Sequence, residues 1–183
     1  MKAEPASIDK GPASSAGRPR DPRIDAAILT ATAELLVDIG YASLTMAAIA
    51  ERAGTTKTAL YRRWSSKAEL AHEAAFPVAP TALTVPAGDI AADVRAMIRA
   101  ARDVFTSPVV RAALPGLIAD MAADAALNTR VMNRFADLFG AVRTRLIDAV
   151  DRGEVHDDVD PDRLVELIGG ATLLRLQIGR AHV

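Results

Sequence analysis

Between Leu44 and Leu70 the chain reads LTMAAIAERAGTTKTALYRRWSSKAEL, and most residues able to do recognition chemistry stand there. From Met46 to Lys67 there are five basic residues, Arg52, Lys57, Arg62, Arg63 and Lys67, against one acid, Glu51. That local excess suits an anionic partner at one place, or a solvated helical face. The residue types suit duplex DNA. Lys57 can bond guanine acceptors, and a methyl such as that of Thr58 can touch a thymine methyl. Tyr61, Arg63 and Lys67 are donors suited to phosphate, and the free amides near Lys67 add a helix N-terminus.

Two short helices must hold these groups. Thr45 precedes MAAIAERA and can accept from the free amides of that helix, which closes at Gly54. Gly54 can take the positive φ that ends a helix. Thr55 or Thr56 then opens a helix through KTALYRRW. Ile49, Ala50, Ala53 and Leu60 stand where they would pack the two helices together. The second helix then presents Thr56, Lys57, Thr58 and Tyr61 outward at its start, the end that a helix-turn-helix inserts into the major groove. Ser65-Ser66 breaks that helix, and Ser66 caps a fourth from Lys67 to Phe76, stopped by Pro77.

The rest of the chain frames this segment. Residues 1–21 hold Pro5, Pro12 and Pro19 without apolar periodicity and read as a disordered arm ending in GRPRDPR. Arg18 and Arg20, in an extended stretch with Pro19, could enter an A·T-rich minor groove or merely solubilise the tail. Ile24, Ile28, Leu35, Leu36 and Ile39 predict a helix over 23–39 with Gly40 as its stop. Pro77, Pro80 and Pro86 mark a loop. Helical patterns resume at about 89–106, 109–120, 127–152 and 161–178, with Pro108 and Pro115 predicting two short helices in 107–125. About eight helices and no strand pattern define an all-α protein: a helix-turn-helix unit over 22–70 and a helical body over 71–183.

Composition narrows the function classes. The 183 residues include 22 Lys+Arg, 23 Asp+Glu and no Cys, and 50% are hydrophobic. Without Cys there is no disulfide framework, thiolate metal site or cysteine nucleophile. No apolar run reaches the ~18 residues of a membrane span, and no export signal is visible, so the expected place is the cytoplasm. Residues 1–70 carry 10 basic and 8 acidic groups, and residues 71–183 carry 12 and 15. His72, His156 and His182 are far apart, which argues against a metal site. EVHDDVDPD lacks calcium-loop spacing and reads as a turn that caps a helix at Pro161. No P-loop, dinucleotide turn or polar catalytic cluster is present, so neither an enzyme nor a cofactor is expected.

The segment resembles the tetracycline-repressor (TetR) family of bacterial transcriptional regulators. Thr45, IAERAG (Ile49 to Gly54), Lys57, Leu60-Tyr61, Arg63, Trp64 and SKAEL (Ser66 to Leu70) carry the resemblance, which covers about residues 23–70 well. It implies a homodimer that binds a palindromic operator and releases it when a small molecule enters the helical body. By position, Lys57, Thr58 and Ala59 would face bases. Thr45, Thr56, Tyr61, Arg63 and Lys67 would face the backbone, and Trp64 would anchor the unit to the fourth helix. Where some members carry a basic residue this chain has Ala47, so one contact is missing. The resemblance also implies a further helix beyond about His182, so the chain is short or the sequence truncated there.

Two further sites follow. Met97, Phe105, Leu117, Met121, Met132, Phe135 and Phe139 could line an effector pocket or pack a core. The 161–178 helix is apolar on more than one face and carries Gly169-Gly170 at its middle, where Gly costs helix stability. Close approach of another helix would compensate. The dimer interface is therefore expected at Leu164, Ile168, Gly170 and Leu174, with the 127–152 helix beside it. The sequence alone does not separate a ligand-responsive repressor from a helical DNA-binding protein without an effector.

Overall fold

The computed structural model describes residues 22–77, 89–177 and 179. The basic arm with Arg18 and Arg20, Pro80, Pro86 and the chain end around His182 lie outside the described residues. Among the described residues there are nine helices and no strand. They are α1 (Pro22–Ser43), α2 (Met46–Arg52), α3 (Lys57–Tyr61), α4 (Lys67–Ala75), α5 (Ile90–Thr106), α6 (Pro108–Ala123), α7 (Ala125–Asn133), α8 (Ala136–Asp151) and α9 (Pro161–Gln177).

Local chemistry explains most boundaries. Thr45, Thr56 and Ser66 each accept from the backbone N–H three residues on, at 3.1, 3.2 and 3.1 Å, and so start α2, α3 and α4. Gly54 has φ +63; its N–H donates to Glu51 and that of Thr55 reaches back to Ala50. Those paired bonds close α2 with a left-handed residue that only Gly adopts without cost. Asp160 accepts from the N–H of Asp162 at 2.9 Å, which makes it the cap that the acidic turn before Pro161 was expected to supply.

Two expectations about helix extent fail. The pattern over 127–152 suggests one helix, but the chain breaks after Asn133. The N–H groups of Arg134 and Phe135 bond to Val131 and Met132, three residues back, and the α pattern resumes at Phe139. Neither Gly nor Pro stands at this break, so it has no local signal. Conversely, residues 107–125 are not two short helices, because α6 runs through Pro115. Pro115 is exposed, and the carbonyl it leaves unpaired, that of Arg111, also belongs to an exposed residue. The break after Asn133 raises the count among the described residues from about eight to nine.

Packing divides differently from the helix-turn-helix boundary at residue 70. One apolar cluster joins Ile28, Leu36, Ile49, Leu60, Trp64 and Leu70 to Val110, Leu117, Leu127 and Val131. The N-terminal helices and α6–α7 therefore share a core, with α1 and α4 both packed on α6. A second cluster, Met97, Leu138, Val142 and Leu146, lies between α5, α8 and α9. Tyr41 fixes the first junction. Its ring lies so near Gly116 that a Cβ there would fall 2.0 Å from the ring, and its hydroxyl donates to Asp120. Burial first, then the Asp120 hydrogen bond and charge, raises the phenol pKa, so it stays a donor.

Candidate nucleic-acid interface

The start of α3 stands free of the core. Thr56, Lys57 and Thr58 are exposed, Ala59 is half-buried, and Tyr61 is 57% exposed. Leu60, fully buried, is the residue that fixes this orientation. Thr45 is exposed at the start of α2, its hydroxyl committed to the cap. Thr45, Thr56, Lys57, Thr58 and Tyr61 are thus all exposed on the α2–α3 unit.

The cations divide unequally. Arg63 does not reach out toward a backbone phosphate as expected. Its Nε donates to Asp25 of α1 and its Nη1 to the Ala59 carbonyl, and its side chain is 15% exposed. It ties α3 to α1. Lys67 is likewise engaged: its Nζ donates to the Tyr41 carbonyl at 3.2 Å and lies 4.5 Å from the Tyr41 ring centroid. Arg52 bonds Glu34 and Asp38 at 3.4 and 3.2 Å, so acids of α1 offset its charge. Among the described residues, Lys57 and Arg62 are the exposed cations of this segment whose side chains show no partner. Sequence reasoning counted Arg62 in the basic segment but gave it no role; the signal was its place beside Arg63, one step round the helix.

Trp64 is 4% exposed, and its indole N–H donates to Glu73 Oε2 at 2.9 Å. Glu69 braces the same turn, accepting from the Ser65 N–H at 2.8 Å and hydroxyl at 2.7 Å. The recognition helix is thus held from below by Trp64 and at its end by the α4 cap.

The residues expected to line an effector pocket fall in different places. Leu117 belongs to the first cluster, with Phe105 and Met121 packed against it, and Met97 to the second. Met132 is 40% exposed. Phe139 stacks on Phe135 with centroids 6.0 Å apart. Of the expected lining residues, only Phe135 borders the cleft, shared with His72, Phe76 and Arg134. The expected interface also divides. Leu164 and Ile168 pack against the second cluster, inside the subunit, whereas Gly170 and Leu174 are exposed. No metal-ligating group of three or more residues is present among the described residues. No single helix there is long and apolar enough to cross a membrane.

A capped, glycine-closed helix pair with a free second-helix start defines a helix-turn-helix DNA-binding protein. Comparison with known proteins says which kind. Residues 28–74 match bacterial regulatory proteins of the tetR family, and residues 85–183 match the tetracyclin repressor-like C-terminal domain. The chain belongs to the TetR family of transcriptional regulators, and it is a regulator, not an enzyme. It is 34% identical over 168 residues to an HTH-type transcriptional regulator of Mycobacterium bovis, covering 87% of this chain and 81% of that one. It is 30% identical to the DNA-binding transcriptional repressor TetR of Mycobacteroides abscessus, covering 84% and 82%. The crystal structure of a TetR family transcription regulator superposes with a TM-score of 0.66 at 36% identity, covering 85% of this chain and 87% of that one.

Proposed function

We propose that the protein is a ligand-responsive repressor that binds an inverted-repeat operator as a homodimer in the cytoplasm. Residues 22–70 serve as the reading unit and residues 71–183 as the effector and dimer body. The observation that carries this reading is the exposed start of α3, with Lys57 and Arg62 unengaged while Arg52, Arg63 and Lys67 are held within the subunit. Lys57, Thr58 and Ala59 read base edges; Thr45, Thr56, Tyr61 and Arg62 hold the backbone. The similar repressor of Mycobacteroides abscessus supports the direction of control.

The dimer surface is the exposed stripe Leu167, Gly170 and Leu174 on α9, with Ile147 on α8. These residues fall three or four apart on α9, and Leu167, Leu174 and Ile147 are 68, 58 and 50% exposed. An apolar stripe of that kind on a packed helix needs a cover. Selection from a random duplex library tests the whole reading. The enriched sequence should be an inverted repeat, bound with an affinity that falls steeply as salt rises. Binding that is absent or indifferent to salt overturns it.

A further inference from the structure

The cleft beside α4 has features that a plain core would not. It has a volume of about 200 Å³ and is bordered by His72, Phe76, Arg134 and Phe135. Three rings form its wall: His72 lies 5.1 Å from Phe76 and 5.6 Å from Phe135, and the two Phe rings meet edge-on at 5.7 Å. Its other half, Arg134 and Phe135, comes from the turn between α7 and α8. His72 is 3% exposed, yet its Nε2 has no hydrogen-bond partner. A buried imidazole nitrogen left unpaired is costly, and native proteins usually satisfy such groups with a side chain, a water or a ligand.

Arg134 is the charged side chain that borders the cleft, and an anion there would compete with Glu73 for it. Arg134 borders the space, while Glu73, its ion-pair partner at 3.0 Å, does not. A cation entering would meet the guanidinium; an anion would be gripped by it in fork geometry. The volume is below the roughly 300–1,000 Å³ of sites for drug-sized molecules, so it suits one ring with a short side chain.

The same Glu73 oxygen that Arg134 holds also accepts from Trp64 at 2.9 Å. Trp64 stands three residues beyond the end of α3, in the core that orients the recognition helix. We propose that the cleft binds a small hydroxyaromatic carboxylate. The ring lies against His72, Phe76 and Phe135, the carboxylate on Arg134 and the hydroxyl at His72 Nε2. Occupancy draws Arg134 off Glu73 and so resets the Glu73–Trp64 hydrogen bond beneath α3. This deepens the ligand-responsive reading and rests on it.

Trp64 is the only tryptophan, so its emission reports the relay directly. The full chain is titrated with 4-hydroxyphenylacetate, its neutral amide and the cationic tyramine, and release from the selected duplex is followed separately by mobility shift. The acid should change Trp64 emission saturably, raise the melting midpoint and release DNA, with the amide and tyramine at least tenfold weaker. Arg134→Gln should weaken acid binding tenfold or more, and His72→Gln should lessen the preference for the ring hydroxyl over phenylacetate. Arg111→Gln, an exposed cation on α6, should bind like the parent. No saturable change with the acid, equal binding by Arg134→Gln, or tighter binding of tyramine overturns the inference. If DNA is bound in the same buffer while the acid does nothing, the repressor reading stands and this one falls. If the acid saturates Trp64 and no duplex is bound, the cleft assignment stands and the repressor reading falls.

Discussion

Arg62 and Arg63 are neighbours in sequence with opposite fates, and a pair of substitutions separates them. Arg63 is a tie between α3 and α1, so Arg63→Gln removes an ion pair and a hydrogen bond to Ala59 from a largely shielded place. It should cost about 1–3 kcal/mol of stability, read as a lower melting midpoint. Arg62 is exposed, so Arg62→Gln should leave the midpoint alone. It should weaken all duplex sequences alike and flatten the salt dependence by about one counterion. Lys57→Ala should instead relax preference at one base pair by about 1–3 kcal/mol. His72 carries a different consequence. Burial first, then the Arg134 charge, lowers its pKa to about 4, against a small opposing effect of Glu73. Below its unfolded value near 6.5 the unfolded chain binds a proton that the native chain refuses. The contribution is therefore intact above about pH 6.5 and lost as pH falls toward 4, by up to about 3 kcal/mol. Melting midpoints from pH 7 to 4.5 should fall more steeply for the parent than for His72→Phe; parallel curves would remove His72 as the cause.

At the scale of the element, caps were legible and tertiary breaks were not. Thr45, Thr56, Ser66 and Gly54 act through bonds to residues three to five away, so their types and spacing announce α2, α3 and α4. The break between α7 and α8 is set by distant partners instead: Arg134 reaches Glu73 and Phe135 meets Phe76, both on the α4 side. No nearby residue type records that, and periodicity ran through it. Pro115 erred in the other direction, since a proline signal assumes a penalty that an exposed position in a well-packed helix can absorb. The functional consequence is that the pocket residues chosen for apolar character were mostly core, while His72 was legible only as one of three scattered His residues and Arg134 carried no signal. The joint of α1 with α6 makes this scale testable. Gly116 admits Tyr41 by having no side chain, and a methyl there would drive into the ring. Gly116→Ala should destabilise by about 1–3 kcal/mol despite the better helix propensity of Ala. In a Tyr41→Ala background the same Gly116→Ala change should cost less; a neutral Gly116→Ala in the parent would mean that the junction yields easily.

For the whole molecule, the two apolar clusters have different mechanical roles. The first joins α1–α4, with Trp64 and Tyr41 among its members, to α6 and α7. The second joins α5 and α8 to α9 and supports the exposed stripe that we assign to the partner subunit. A repressor needs both, because one α3 spans a single half-site and only a dimer holds two at fixed separation. Leu164 and Ile168 face the second cluster, so their truncation would unfold the support and say little about assembly. Leu167 and Leu174 are largely exposed in the subunit, so Leu167→Glu with Leu174→Glu removes little of its own core. Helix content should be kept while sedimentation shifts from dimer to monomer. Gly170→Leu should act in the same direction, because the space over Gly170 is open within the subunit and would be filled by the partner. Losing the second half-site turns a bivalent complex into a monovalent one, which should cost about 10²-fold or more in operator affinity. The variants should still bind an isolated half-site like the parent. A dimer that survives all three changes places the interface elsewhere, and full operator affinity in a proven monomer removes the two-fold argument altogether.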